Sequence, residues 1–258
     1  LAEVLAQRVR RLDAHLRALA LAVAVLGGEA VAHAAAGVAE LSPELAGAAL
    51  RRLVRAGVID ERYDRQGRAA YAMHDRFRDV VVAGAAEAEL SHAHLAAGRW
   101  LKAQAEGDHR AWLESADHFA AGGDLRQAVR AAEEAVRLAE KGGRPDQAAT
   151  AVALQIEWLG RLGEVPASAW IRRFDLCLLA GLRADAETAL SALEARLGAL
   201  PEADRLATRV RRARFQVDRG DAAAARAGAE QALGEAMAVG DPRLLSDLCW
   251  VLGRADEV

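Results

Sequence analysis

The sequence predicts a mainly α-helical protein: a small N-terminal domain carrying one β-hairpin, followed by stacked helical hairpins. Three observations lead there. The 258 residues are 53% hydrophobic by a count raised by alanine, yet only 4% aromatic with five prolines, a composition suited to helices. A single turn-rich tetrapeptide, Asp64-Arg65-Gln66-Gly67, lies between two strand-like segments. Gly143, Gly181 and Gly220 recur at intervals of 38 and 39 residues, each in a turn before a helix of similar pattern, which is the mark of helical repeats.

Charge and special residues narrow the class. A net charge of −3 excludes a strong whole-molecule attraction to nucleic acid or anionic membrane. The longest apolar run near the start, Leu16 to Leu26, is interrupted by Arg17 and is about half the ~20 residues a membrane span requires. Cys177 and Cys249 both fall inside apolar helical patterns and are expected as buried free thiols, which points to the cytoplasm. Neither a basic leader nor an initiating methionine precedes the first helix, and a helical pattern still runs at Val258. The expectation is a fragment of a longer protein.

The elements follow in order. One long helix over about 2 to 26 ends at Gly27-Gly28, and a short helix follows at about 29 to 39. Ser42-Pro43-Glu44 begins a third, with serine as cap and proline where its missing N–H costs nothing. That helix carries Leu45, Ala49, Leu50, Leu53 and Val54 inward and stops at Gly57. Val58–Tyr63 and Ala69–Met73 flank the turn as a hairpin, so residues 1–87 are expected to form a winged helix. Residues 88–123 read as connecting helices, and 124–258 as the repeats.

A winged helix raises the question of DNA. The first turns of the third helix offer Glu44, Ala46 and Gly47 where base reading wants Asn, Gln or Arg. Arg51, Arg52 and Arg55, with Arg62, Arg65 and Arg68 on the wing, could touch phosphate. In a chain of 32 arginines and two lysines, the alternative is a solvated basic face.

The wing runs directly into Tyr71-Ala72-Met73-His74-Asp75-Arg76-Phe77-Arg78-Asp79. This stretch resembles the Met-His-Asp motif in the winged-helix domain of STAND-class signal-transduction ATPases, which include NB-ARC immune receptors and large bacterial transcriptional regulators. Arg78-Asp79 matches the Arg-Glu or Arg-Asp pair that follows the histidine in the bacterial branch. The resemblance extends over about the first hundred residues in element order. It implies that His74 reaches the β-phosphate of ADP held in a separate, upstream nucleotide-binding domain and so locks a resting state. A histidine donor at a helix start suits that role. The plainer alternative makes His74 a polar residue satisfying a strand-to-helix corner, with Met73 a core residue and Asp75 a favourable first-turn charge.

The ATPase itself is not written in these residues. A P-loop needs Gly-Lys-Ser/Thr after a glycine-rich turn, and Lys102 and Lys141 both lie in other contexts. The chain alone is therefore expected not to be an enzyme. ADP or ATP is a cofactor of the parent protein only.

Aligned on the recurrent glycines, Ala148, Ala186 and Ala225 stand five residues on, then Ala151, Ala189 and Gly228, then Val152, Leu190 and Ala229. Small residues there let paired helices approach, and each hairpin must bury its face on a neighbour. The first helices of the pairs are placed at about 124–141, 166–180 and 202–219, the second at about 144–162, 183–199 and 221–239. A further helix after Gly240-Asp241-Pro242, with Leu248, Trp250, Leu252 and Gly253, resembles the start of a tetratricopeptide repeat. The array is similar to the long-period tetratricopeptide solenoids of bacterial STAND regulators, which implies a protein or peptide partner, or an effector, on its concave face. It departs from the 34-residue consensus in length and aromatic positions. Arg172, Arg173, Arg209, Arg211, Arg212 and Arg214 read as a solvated face or, alternatively, a basic patch.

Other chemistry is excluded quickly. His92 and His94 sit two apart on a helix and diverge, and His109 and His118 lack ligand-spaced partners, so no metal site is expected. No Gly-x-Ser-x-Gly or cysteine nucleophile signature occurs. Three functions remain: a STAND-type regulatory and sensor segment with His74 as nucleotide contact, a repeat scaffold without nucleotide sensing, and a winged-helix DNA-binding regulator.

Overall fold

The computed structural model describes residues 2–63, 67–163 and 165–257. It divides into two compact units, Leu1–Leu138 and Ala139–Val258, mainly helical with one small sheet.

The first unit opens with α1 (Ala2–Arg10) and α2 (Ala14–Leu26). These are two helices, where the sequence suggests one. Asp13 ends the continuity: its backbone is extended and its carboxylate accepts the Leu16 N–H at 2.9 Å, capping α2. That contact also holds the Asp13 carboxyl below the usual carboxylate range, helped by Arg52 at 2.9 Å. Gly27 and Gly28 then turn the chain at φ of 65° and 51°, a region that suits glycine.

A second departure follows. Instead of one helix at 29–39 there is a strand, β1 (Glu29–Val31), and then α3 (Ala32–Val38). Three residues carry no periodicity to read. β1 exists because it pairs antiparallel with β3 (Ala69–Ala72), which also pairs with β2 (Asp60–Tyr63). The sheet order is β1-β3-β2, with Tyr71 facing Ala30 on one side and Glu61 on the other.

Between α3 and β2 runs α4 (Pro43–Arg55), capped by Ser42 through the Leu45 N–H. Its buried stripe is Ala46, Ala49, Leu50 and Leu53. Leu45 is 55% exposed, against the inward position expected for it, because it stands one residue, or roughly 100° of helix, off that stripe. Leu50 and Leu53 join Leu19, Val23, Ala35, Tyr71 and Val81 in a core that α2, α3, α4 and β3 share with α5 (Asp75–Gly84) and α6 (Glu87–Gln104). α7 (His109–Ala121) packs on α6, and α8 (Leu125–Lys141) crosses the division between the units.

The second unit contains α9 (Pro145–Leu162), α10 (Ala167–Leu179), α11 (Arg183–Glu194), α12 (Glu202–Asp218), α13 (Ala222–Val239) and α14 (Pro242–Asp256), with a 3-10 turn at Leu197–Ala199. The recurrent glycines share one geometry. Gly143, Gly181 and Gly220 take φ of 66°, 74° and 80°, and the next residue's N–H reaches back to Ala139, Cys177 and Gln216 carbonyls at 2.8–2.9 Å. These are Schellman caps, which close a helix and redirect the chain. Beyond them Ala148, Ala186, Ala225, Val152, Leu190 and Ala229 are all fully buried. Sequential helices pack as hairpins, and α12 also touches both α10 and α14. The last three helices share a core of Leu206, Val210, Ala229, Ala232, Leu248 and Val251. Cys177 is buried as expected, but Cys249 is exposed; both are free.

Leu50→Ala should cost about 2–5 kcal/mol, whereas Leu45→Ala should cost less than about 1 kcal/mol, compared by urea unfolding. Similar losses would contradict this α4 register.

Candidate functional site

β3 is the central strand, and its buried run Ala70-Tyr71-Ala72 leads straight into Met73 and His74. Met73 and Phe77 pack against the core, while His74 and Asp75 are exposed. His74 is the N-cap of α5. Its backbone is extended, at φ −64° and ψ 138°, and its Nδ1 accepts the Arg76 N–H at 3.3 Å. Its carbonyl accepts from Phe77 at 2.8 Å and Arg78 at 3.0 Å. An Nδ1 that accepts cannot carry the proton, so the neutral ring holds it on Nε2, which remains a donor. Asp75 occupies the first turn, where a negative charge complements the helix dipole.

His74 lines a cleft of about 310 Å³ together with Gly27, Gly28, Arg62 and Arg78. The Arg78 guanidinium lies 3.7–3.9 Å from where a Cβ on Gly27 would stand. It rests against bare backbone and has no ion pair among the described residues. Arg62 is neutralised by Glu29 at 3.3 Å. The cleft thus holds the His74 ring, whose Nε2 is a donor, and the Arg78 guanidinium, with the Asp75 carboxylate also in its lining.

The residues considered for DNA come out differently. Ala46 is buried, so it cannot face a base. Arg52 is paired with Asp13, and Arg55 Nε donates to the Arg51 carbonyl at 3.3 Å. Arg65 lies outside the described residues.

The arginine clusters of the repeats are neither a bare solvated face nor an open basic patch. Arg172 holds Glu140 at 2.8 Å, Arg211 clasps Asp175 through two bonds of 3.0 and 2.5 Å, and Arg214 faces Asp247 at 3.6 Å. These pairs join one first helix to the next. Arg173–Asp185 and Arg209–Glu235 join helices within hairpins, and Arg212–Glu194 joins one hairpin to the next. Trp158 is buried, and the Trp170 ring has the Arg173 and Arg196 guanidinium groups 5.9 and 6.0 Å from its centre.

One arrangement has no counterpart in the sequence reading. His94 of α6 and His118 of α7 meet with Nδ1 atoms 3.0 Å apart. Their 24-residue separation leaves no local spacing to notice. Around them α6 and α7 approach closely: Ser91 donates to the Gly122 carbonyl at 2.7 Å, Ser115 to the Gly98 carbonyl at 2.8 Å, and Phe119 lies against Gly98. His92 instead meets Glu40 at 3.3 Å. Burial, and then His94, push His118 down to about 4; burial, and then the Arg78 charge, push His94 down. Among the described residues no three His, Cys, Asp or Glu side chains gather to hold a metal. No described helix is long and apolar enough to cross a membrane.

Compared with known proteins, the chain matches no family model and no curated protein. Among solved structures it is similar to a Signal Transduction ATPase with Numerous Domains (STAND) protein with a tetratricopeptide repeat sensor from Pyrococcus horikoshii. The identity is 14% and the TM-score 0.34, over 96% of this chain and 48% of that one. The chain thus spans about half the length of that protein.

The histidine pair makes stability depend on pH. Both groups are depressed in the folded state, so the unfolded chain binds more protons below about pH 6.5. Their stabilisation is complete above that value and is lost as pH falls toward 4. Between pH 7.5 and pH 4.5 the wild type should lose on the order of 2 kcal/mol more than His118→Gln, after allowance for solvent screening. Urea unfolding at the two pH values checks this, and equal losses would contradict it.

Proposed function

We propose that this chain is the regulatory and sensor segment of a STAND-type signal-transduction or transcriptional regulator. Residues 1–87 form its winged helix, and the later hairpins form a tetratricopeptide-like solenoid. In this reading His74 donates its Nε2–H to the β-phosphate of ADP bound in a nucleotide-binding domain elsewhere in the parent protein. That contact holds the resting state, and the repeats take an effector or protein partner that disturbs it.

The observation that carries the reading is the placement of the His74 ring. The Arg76 N–H occupies Nδ1, which commits Nε2 to donating, and the ring stands exposed beside the unpaired Arg78. A histidine that only satisfied the corner would make the same cap, so what favours the contact is the exposed ring in a cleft beside Arg78. Further support comes from the element order around the three-stranded sheet and from the Schellman-capped, alanine-faced hairpins.

Nucleotide would supply the anionic charge in this contact, and the chain's own part is to hold a donor at a fixed place. Its two lysines lie in helices, Lys102 in α6 and Lys141 in α8, so phosphoryl chemistry is assigned to the parent's other domain. The reducing cytoplasm of a bacterial cell suits a protein with two free thiols. DNA reading by α4 draws less support, since Ala46 is buried and Arg52 engaged.

In the parent protein, His74→Ala should speed ADP release about tenfold to a hundredfold, the loss of one charge-assisted bond. His74→Ser keeps a cap for α5 and should release ADP as fast, which separates the contact from helix stability. ADP release unchanged in both variants would leave the repeat scaffold without nucleotide sensing as the better reading.

A further inference from the structure

We propose that the hollow between α2, α5 and α6 is a binding site for an apolar α-amino acid, with Arg17 taking its carboxylate and Glu89 its ammonium group. The site stands apart from the His74 contact and does not depend on it.

The hollow has a volume of about 410 Å³, a size that suits a small molecule. Its floor is the core itself, since Leu21 of α2, Val38 of α3 and Val81 of α5 are all buried. Higher up, the walls carry alanines such as Ala18 of α2 and Ala88 of α6. Side chains this short leave the space between the helices open, and its apolar surface favours an apolar occupant.

Three polar side chains line the hollow: Arg17, Glu89 and His92. His92 is already engaged. Its Nε2 meets the Glu40 carboxylate at 3.3 Å, and Arg99 meets the same carboxylate at 3.5 Å. Glu40 itself has a φ of 54°, the left-handed turn after α3 where glycine is the usual residue. A glycine there would close the helix but hold neither side chain of α6. His92 therefore belongs to the frame of the site.

Arg17 and Glu89 are not paired with each other. Glu89 accepts the Ala86 N–H at 3.2 Å through one carboxylate oxygen. The Arg17 side chain makes no bond among the described residues. One cation and one carboxylate in the same lining give no preference for an anion or a cation alone. They match a ligand that carries both signs, and an apolar α-amino acid carries both next to a side chain that the floor can cover. The guanidinium fork holds a carboxylate through two bonds, and a carboxylate accepts from an ammonium group.

The test uses the intact chain with L-leucine as probe, followed by NMR through the methyl resonances of Leu21, Val38 and Val81. Leucine should shift them with a Kd on the order of 0.1 mM. Isocaproate, which lacks the ammonium group, and isopentylamine, which lacks the carboxylate, should each bind about tenfold more weakly. Arg17→Gln and Glu89→Gln should each weaken leucine by about the same factor. Glutamine at position 89 still accepts the Ala86 N–H, so α6 keeps its start. Ala18→Leu fills the hollow from α2 and should remove binding while urea unfolding shows the fold intact. Equal binding of leucine and isocaproate overturns the amino-acid assignment, and so does leucine binding that neither Arg17→Gln nor Glu89→Gln weakens. Methyl resonances unmoved by ~10 mM leucine overturn the site itself.

Discussion

β3 is paired on both edges, and the register of that pairing builds the cleft. Ala72 stands opposite Glu29 of β1 on one side and Asp60 of β2 on the other. The residues just before β1 and just after β3 are therefore neighbours, which brings Gly27 and Gly28 beside His74 and Arg78. A one-residue slip would turn Tyr71 from the core to the opposite face of the sheet. Burial of Tyr71 in the shared core opposes that slip. The placement of an exposed histidine is thus secured by apolar contacts well away from it.

The helical hairpins rest on a simpler rule. Each glycine-capped turn is followed by alanines at the contact face, and the small side chains let the next helix come close. The ion pairs from first helix to first helix lie partly in solvent, where such pairs contribute about 0–1 kcal/mol each. Burial of the alanine and leucine faces consequently supplies most of the stabilisation. The pairs account for the abundance of arginine, since a planar guanidinium can hold a carboxylate through two bonds, as Arg211 holds Asp175.

Local signals in the sequence went far where structure is local. The Ser42-Pro43 start of α4, the caps at Gly143, Gly181 and Gly220, and the buried alanines after them could be read because each depends on residues within one or two turns. His74 at the start of α5 was legible for the same reason. What escaped depends on distant partners or on a single side chain. β1 is a strand only through β3, and the break at Asp13 turns on one carboxylate. Leu45 misled because Leu45, Ala49 and Leu53 also keep helical spacing. The meeting of His94 with His118 is a tertiary fact with no sequence spacing to announce it.

The central claim is that α5 holds His74 as an Nε2–H donor. Nitrogen chemical shifts of the His74 ring report the tautomer directly. The account predicts a protonated Nε2 and an accepting Nδ1 bonded to the Arg76 amide. A ring protonated on Nδ1, or one averaging freely between the two forms, would contradict it.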